Sequence, residues 1–190
     1  VKAIKNIKHN KQELSVQPIY KIKLGELVDK INMLKESRTE LFTAKVGSGF
    51  LRKLYSTYLS YLPPSQFTYT IPSYDDERGK FVEILKTNDS GQFSFFTANP
   101  GVTRGNHYHH TKIEKFLVIK GKARFCFKHI ISGEMYEITT TSKVLKIVES
   151  TPGWSHNITN IGKEEIIVIL WANEIFNPDK PDTIAYNLSG

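Results

Sequence analysis

A chain of 190 residues has room for one core of ordinary size, or for one domain and an appendage. Hydrophobic residues at 39% and aromatic residues at 12% exclude a disordered chain, and no apolar run approaches the ~20 residues of a membrane span. The net charge of +7 is uneven: Lys2, Lys5, Lys8, Lys11, Lys21 and Lys23 face Glu13 alone in residues 1–23. Lysines spaced by three around Ile4 and Ile7 read as the solvated face of a helix rather than a nucleic-acid arm, since aromatic residues are scarce there.

Next in the chain, Leu24, Leu27, Val28, Ile31 and Leu34 follow the i, i+3, i+4, i+7 pattern, which predicts a helix over 23–36. Leu51, Leu54, Tyr58 and Leu62 predict a second over 48–62, stopped by Pro63-Pro64. The pattern then changes to short apolar alternation. Strands are expected at Phe67 to Ile71, Lys80 to Lys86, Gln92 to Ala98, Gly105 to His109 and Glu114 to Lys120. Further strands are expected at Lys122 to Ile130, Met135 to Thr140, Val144 to Val148 and Glu165 to Trp171. Turn-forming pieces such as Asp75-Asp-Glu-Arg-Gly79 and Asn99-Pro-Gly101 separate them. Many short strands at this spacing predict a mainly β sandwich or barrel, and a jelly roll suits the positions of its histidines. The tail Asn177-Pro-Asp-Lys-Pro-Asp-Thr183 reads as an extended strap. Cys126 is the single cysteine, which excludes an internal disulfide and fits a reducing cytoplasm. Alternating with Phe125 and Phe127, it reads as a packing residue.

Chemistry concentrates in the run from Gly101 to Gly121. His107 and His109, at i and i+2 on a strand, project from one face about 7 Å apart, so both imidazoles can reach one metal ion. Glu114 lies five residues past His109, so the alternation must break, most simply at Thr111-Lys112, to return it to the histidine face. His156 follows the Pro152-Gly153 turn. Three neutral imidazoles and a carboxylate form a borderline-soft site suited to Zn, Fe, Ni, Co or Mn. For a lone histidine a surface or hydrogen-bonded role is the better reading; three with a glutamate in register point to metal.

These residues resemble the two signatures of the cupin superfamily, small β-barrels that bind a metal in their mouth. The first, G-x5-H-x-H-x3,4-E-x6-G, is matched at every fixed position by Gly101, His107, His109, Glu114 and Gly121. The second, P-x-G-x2-H-x3-N, is matched at Gly153, His156 and Asn160, with Thr151 in the proline's place and Pro152 beside it. Beyond the signatures, residues 20–186 resemble the C-terminal half of the capsular-polysaccharide-assembling bifunctional epimerase/reductases. Leu24-Gly25-Glu26-Leu27-Val28, Asp76-Glu-Arg-Gly79, Gly105-Asn-His-Tyr-His-His-Thr111 and Asn177-Pro-Asp-Lys-Pro-Asp-Thr183 carry this resemblance.

The resemblance implies a cupin jelly-roll barrel (a double-stranded β-helix) over 65–190. Residues 1–64 are then helices and linker left from a short-chain-dehydrogenase-like domain that begins outside this sequence. It implies zinc in the barrel and epimerisation at C3 of a UDP-linked 2-acetamido-4-keto-6-deoxyhexose, toward an N-acetyl-L-fucosamine precursor for capsule or O-antigen. NADPH-dependent reduction belongs to the dehydrogenase-like half, whose Gly-rich nucleotide fingerprint has no counterpart here. The residues alone leave the base open, with His110, Lys112 and Glu149 as candidates. Tyr108 should point away from the ligand face, and His129 reads as structural. Two other readings compete: an Fe or Mn cupin dioxygenase or isomerase, and a metal-stapled binding module forming a homodimer through exposed strand edges.

Overall fold

The computed structural model describes residues 17–188, so the lysine-rich helix around Ile4 and Ile7 lies outside the described residues. Two helices come first, α1 (Leu24–Glu40) and α2 (Gly49–Ser60), and no helix among the described residues is long and apolar enough to cross a membrane. Pro63 stops the second, as expected, and leads into a single 3-10 turn at Pro64–Gln66. The apolar stripe of α1 is covered only at its end: Leu34 is buried, whereas Leu24, Val28 and Ile31 are exposed.

The strands are β1 (Tyr74–Asp76), β2 (Gly79–Thr87), β3 (Gly91–Ala98), β4 (Thr103–Tyr108), β5 (Glu114–Lys120) and β6 (Lys122–His129). After them come β7 (Met135–Thr141), β8 (Ile147–Glu149), β9 (Trp154–Asn160), β10 (Ile166–Ala172) and β11 (Ile184–Ala185). They form two sheets, in the orders β1-β2-β3-β10-β5-β8 and β11-β4-β9-β6-β7. Every named pairing is antiparallel, and from β3 onward each strand passes to the other sheet except at the β6–β7 hairpin, which makes the expected jelly-roll barrel. The helices attach at the end of β2, where Lys86 N donates to Leu41 O (2.7 Å) and Thr43 N donates to Lys86 O (2.8 Å).

Period-two alternation fills the space between the sheets. Along β6, Ala123, Phe125 and Phe127 point inward and meet Phe96, Phe116, Val148, Ile158, Ile166 and Val168. Burying a phenylalanine such as Phe125, fully enclosed, contributes about 3–5 kcal/mol relative to alanine. Cys126 sits on the opposite face of β6, buried, its thiol donating to Glu137 Oε1 (3.2 Å), as a packing residue would.

Three expectations need correction. Phe67 to Ile71 is not a strand: Phe67 and Tyr69 are exposed, and the segment is held beside α1 by Arg38, which donates to Gln66 O (2.6 Å) and lies over the Tyr69 ring. Val144 to Val148 shortens to β8, leaving Val144 and Leu145 exposed outside it. The segment around His156, read only as the residue after a turn, is the strand β9 at the centre of its sheet.

Candidate metal centre

Both sheets contribute to the site. His107 is on β4, and its cross-strand neighbour is His156 on β9, with ring centroids 4.8 Å apart. His109 lies just past the end of β4, with its ring 4.9 Å from His107 and 5.4 Å from His156. The break expected at Thr111-Lys112 is a crossover: the chain leaves one sheet after Tyr108 and enters the other at Glu114, the first residue of β5. Glu114 therefore meets the histidines from the facing sheet rather than from their own strand. One ligand atom from each of the four lies within 4.8 Å of all the others. His109, Glu114 and His156 are buried and His107 is half-buried.

The strand geometry that aligns the histidines depends on a β-bulge. The β4–β9 register shifts between Gly105 and His107, Asn106 has φ 60° and Gly105 has φ 102°. A Cβ on Gly105 would lie 2.7 Å from the His156 carbonyl oxygen, so only glycine allows the strands to approach this closely.

The crossover is held by the strap. Asp182 accepts three backbone N–H bonds, from His110 (2.8 Å), Thr111 (2.7 Å) and Lys112 (2.8 Å), and a fourth from the Thr111 hydroxyl (3.0 Å). Burial opposes ionisation of Asp182, but these bonds outweigh it and hold its carboxyl well below the usual carboxylate range. The Asp182 carbonyl oxygen accepts a short hydrogen bond from His109 Nδ1. That bond places the His109 proton on Nδ1 and turns the Nε2 lone pair toward the cluster. Gly153 N donates to His109 O (3.1 Å), so the turn before β9 fastens the other side of the loop.

Electrostatics favour a cation in this space. His109 Nε2 is 3.0 Å and His156 Nε2 3.3 Å from the same Glu114 oxygen, Oε2. A cation held there would be shared by both imidazole nitrogens and that carboxylate oxygen. Burial disfavours the Glu114 carboxylate, but the His156 ring and the Lys112 ammonium outweigh this and hold its carboxyl far below the usual range. Burial, with the neighbouring His156, pushes His107 down to about 4, so it is a neutral imidazole at neutral pH. Donors about 2.1 Å from one ion would lie at most about 4.2 Å apart, so a separation of 4.8 Å closes onto a metal with small side-chain shifts. The four residues fit a divalent metal.

The cluster opens into a cavity of about 490 Å³, floored by Phe116 and Ile158 and flanked by Lys112, Gln92, Ser94 and Glu174. Of the three candidate bases, only Lys112 lines it, buried with Nζ 3.2 Å from Glu114 Oε1 and 3.4 Å from Thr183 Oγ1. Glu149 is on the outer face of β8, paired with Lys115, because the alternation of so short a strand turns it away when Val148 enters the core. His110 is exposed and stacks edge-on with Tyr108, which in turn meets Tyr186; neither reaches the cavity. His129 is structural, its Nδ1 bonded to Ser132 and its ring against Trp154. Asn160 of the second signature is also structural: its amide donates to Ala98 O and Glu164 O (both 2.8 Å). Asp182, Ser150, whose hydroxyl accepts from Glu114 N (2.9 Å), and Arg104 escaped the sequence reading. A strap ending in Pro-Asp-Thr was a visible signal for the first; the other two lack one.

A jelly-roll barrel with three histidines and a glutamate converging in its mouth is a cupin. The family described as polysaccharide biosynthesis C-terminal domain matches residues 74–184, and the chain belongs to it. It is 57% identical over 176 residues to a UDP-2-acetamido-2,6-beta-L-arabino-hexul-4-ose reductase of Pseudomonas aeruginosa, covering 93% of this chain and 47% of that protein. The capsular polysaccharide assembling protein CapF of Staphylococcus aureus superposes with a TM-score of 0.87 at 42% identity, covering 90% of this chain and 50% of that one. CapF with the inhibitor 3-isopropenyl-tropolone superposes with a TM-score of 0.88 at 40% identity, covering 98% and 54%. The chain thus spans about half the length of these relatives.

Proposed function

We propose that this barrel is a metal-dependent sugar-nucleotide epimerase. It inverts C3 of a UDP-linked 2-acetamido-4-keto-6-deoxyhexose on the route to an N-acetyl-L-fucosamine precursor. The observation that carries the proposal is the convergence of His107, His109, Glu114 and His156 beside a cavity large enough for a sugar. These four would hold a divalent metal, zinc being the one the family resemblance implies among the ions this donor set suits. Such an ion supplies Lewis acidity to a carbonyl oxygen and so acidifies the adjacent C–H. The 57% identical relative supports the substrate class, since its name describes a UDP-linked 4-ketosugar.

The chain's own residues supply the rest. Asp182 and the bulge at Gly105 fix the imidazoles, so little reorganisation is needed on binding. Phe116 and Ile158 give part of the cavity lining an apolar surface. Of the three candidates Lys112 alone lines the cavity, which favours it as the side chain that would move a proton at C3. NADPH chemistry is assigned to the part of the relatives that this chain does not span, and residues 65–190 to the epimerising domain.

The test is exchange. In deuterium oxide the metal-loaded chain should introduce deuterium at C3 of the keto sugar without any reductant, and His107→Ala or His156→Ala should abolish it. No exchange in the folded, metal-loaded chain would overturn the reading. A second role, homodimerisation, is favoured by exposed apolar residues on two unpaired edges, Met135 and Tyr136 on β7 and Ile147 on β8.

A further inference from the structure

Two guanidinium groups stand at the cavity wall, and the metal chemistry uses neither. Arg104 is on β4, with a side chain 14% exposed, and Arg78 is in the turn between β1 and β2. Both line the cavity that contains His107, Glu114 and His156. Arg104 is built in: its Nε donates to Thr97 O (3.0 Å) and its guanidinium carbon lies 5.5 Å from the centre of the Phe96 ring. Thr97 also fastens the Arg78 turn, its hydroxyl accepting from Lys80 N (2.9 Å), while Asn99 N donates to Arg78 O (3.0 Å). Gly79, at φ 132°, lets the turn lie against Thr97, where a Cβ would come within 2.6 Å of the carbonyl oxygen.

The two arginines share one carboxylate. Asp76 is hydrogen-bonded to Arg78 through Nε (3.0 Å) and a shorter Nη2 contact, and its other oxygen is 3.7 Å from Arg104 Nη2, beyond hydrogen-bond reach. Arg104 Nη2 is buried without a hydrogen-bond partner among the described residues. Buried guanidinium nitrogens are costly to leave unmet. Burial and the neighbouring Arg78 disfavour the Arg104 charge, and Asp76 only partly offsets them. Of the other acids on the wall, Glu83 pairs with Lys86 (3.3 Å), Glu114 with Lys112 and the histidines, and Glu174 follows β10, on the sheet opposite the one that carries Arg104.

Register gives the spacing. Arg104 pairs with Ile158 and His107 with His156, so the bulge turns a three-residue separation into two steps of the partner strand, or about 7 Å. Arg104 and His107 consequently share a face. In a glycosyl diphosphate the phosphorus lies two bonds beyond C1, across the ring from C4, which matches one group over the histidines and the other over the guanidinium.

We propose that Arg104 and Arg78 form a diphosphate subsite that holds the pyrophosphoryl group of a nucleoside-diphosphate substrate while its sugar lies over the histidine cluster. The orientation of the sugar rests on the epimerase reading; the anion site stands on the guanidinium geometry alone. Arginine suits this role, since its planar fork bonds phosphate oxygens two at a time.

Calorimetric titration of the metal-loaded chain with UDP, with inorganic pyrophosphate and with uridine tests it. UDP affinity should fall at least ten-fold in Arg104→Gln and at least three-fold in Arg78→Gln, with pyrophosphate following and uridine unaffected. Metal content should stay constant across the series. Arg104→Lys should recover part of the loss, because charge returns without the fork. UDP affinity that moves less than two-fold in both glutamine variants would overturn the subsite. Should Arg104→Gln fail to fold, Arg78→Gln decides, since its half-exposed side chain leaves the core untouched. C3 exchange with unaltered UDP affinity in the variants would remove the subsite and leave the epimerase standing. Lost UDP affinity in a chain without C3 exchange would do the reverse.

Discussion

Asp182→Ala isolates the strap's contribution to the metal site. The carboxylate accepts three backbone N–H groups and one hydroxyl, all on the loop that carries His109 from one sheet to Glu114 on the other. Water can reach part of this group, so each bond contributes about 0.5–1 kcal/mol rather than the 1.5–3 of an enclosed charged bond, and the substitution should cost about 2–4 kcal/mol. For a chain of this size that is a fall in Tm of roughly 5–15 °C. A second effect is local. The loop would lose its fixed path, and His109 its oriented Nδ1–H bond to the Asp182 carbonyl, so metal affinity should drop 10–100-fold, as typical for outer-sphere partners of a ligating histidine. Differential scanning calorimetry of the metal-free chain separates the first effect, and competition with a chromophoric chelator measures the second. Asp182→Asn, which keeps one accepting oxygen, should fall between alanine and wild type in both. An alanine variant whose Tm drops less than 2 °C and whose metal affinity is within two-fold of wild type would refute the reasoning.

Other outcomes follow from the same geometry. Gly105→Ala places a Cβ 2.7 Å from the His156 carbonyl at φ 102°, and should cost about 3 kcal/mol or more by chemical denaturation and lower metal content below one ion per chain. The metal-free chain should lose stability as pH falls from about 6.5 toward 4: His107, held at about 4 when folded, takes up its proton at an ordinary 6.5 when unfolded, so acid favours the unfolded chain. Glu114, whose carboxyl is depressed on folding, adds to the loss below its ordinary 4.5, and thermal melts across that range check both. Lys112→Met should retain metal yet slow C3 exchange at least about 100-fold, read by proton NMR, if Lys112 moves the proton. NADPH should be neither bound nor oxidised by this chain when it is supplied with metal and keto sugar, as monitored by absorbance.

Much of the barrel was legible in the sequence because period-two alternation survives wherever one strand face is buried. The limits of β5 agree to the residue, and those of β3, β6 and β10 to within one. The four clustered residues were equally visible, since His-x-His on a strand, a glutamate five residues on and a histidine soon after a Pro-Gly turn stand out in the sequence. Non-local pairing was hidden. Nothing in Pro152-Gly153-Trp154-Ser155-His156 states that the next strand lies between β4 and β6, and the polar residues Ser155, His156 and Asn160 disguise a strand with one face buried. Phe67 to Ile71 shows the converse: aromatic and β-branched residues suggest a strand, but without a partner edge the segment remains irregular. Glu149 was misplaced because parity along a three-residue strand cannot be assigned before its neighbour is known. The Pro-Asp-Thr end of the strap was visible, but the loop that Asp182 holds lies some seventy residues away in sequence, and no local pattern encodes that pairing.

The proposed chemistry depends on one ion at one place. Anomalous diffraction from crystals of the chain equilibrated with zinc would test it most directly. One fully occupied ion is expected, with nitrogen atoms of His107, His109 and His156 and a Glu114 oxygen at about 2.0–2.2 Å. Zinc absent from that cluster at full loading, or bound without His156 and Glu114, would contradict it.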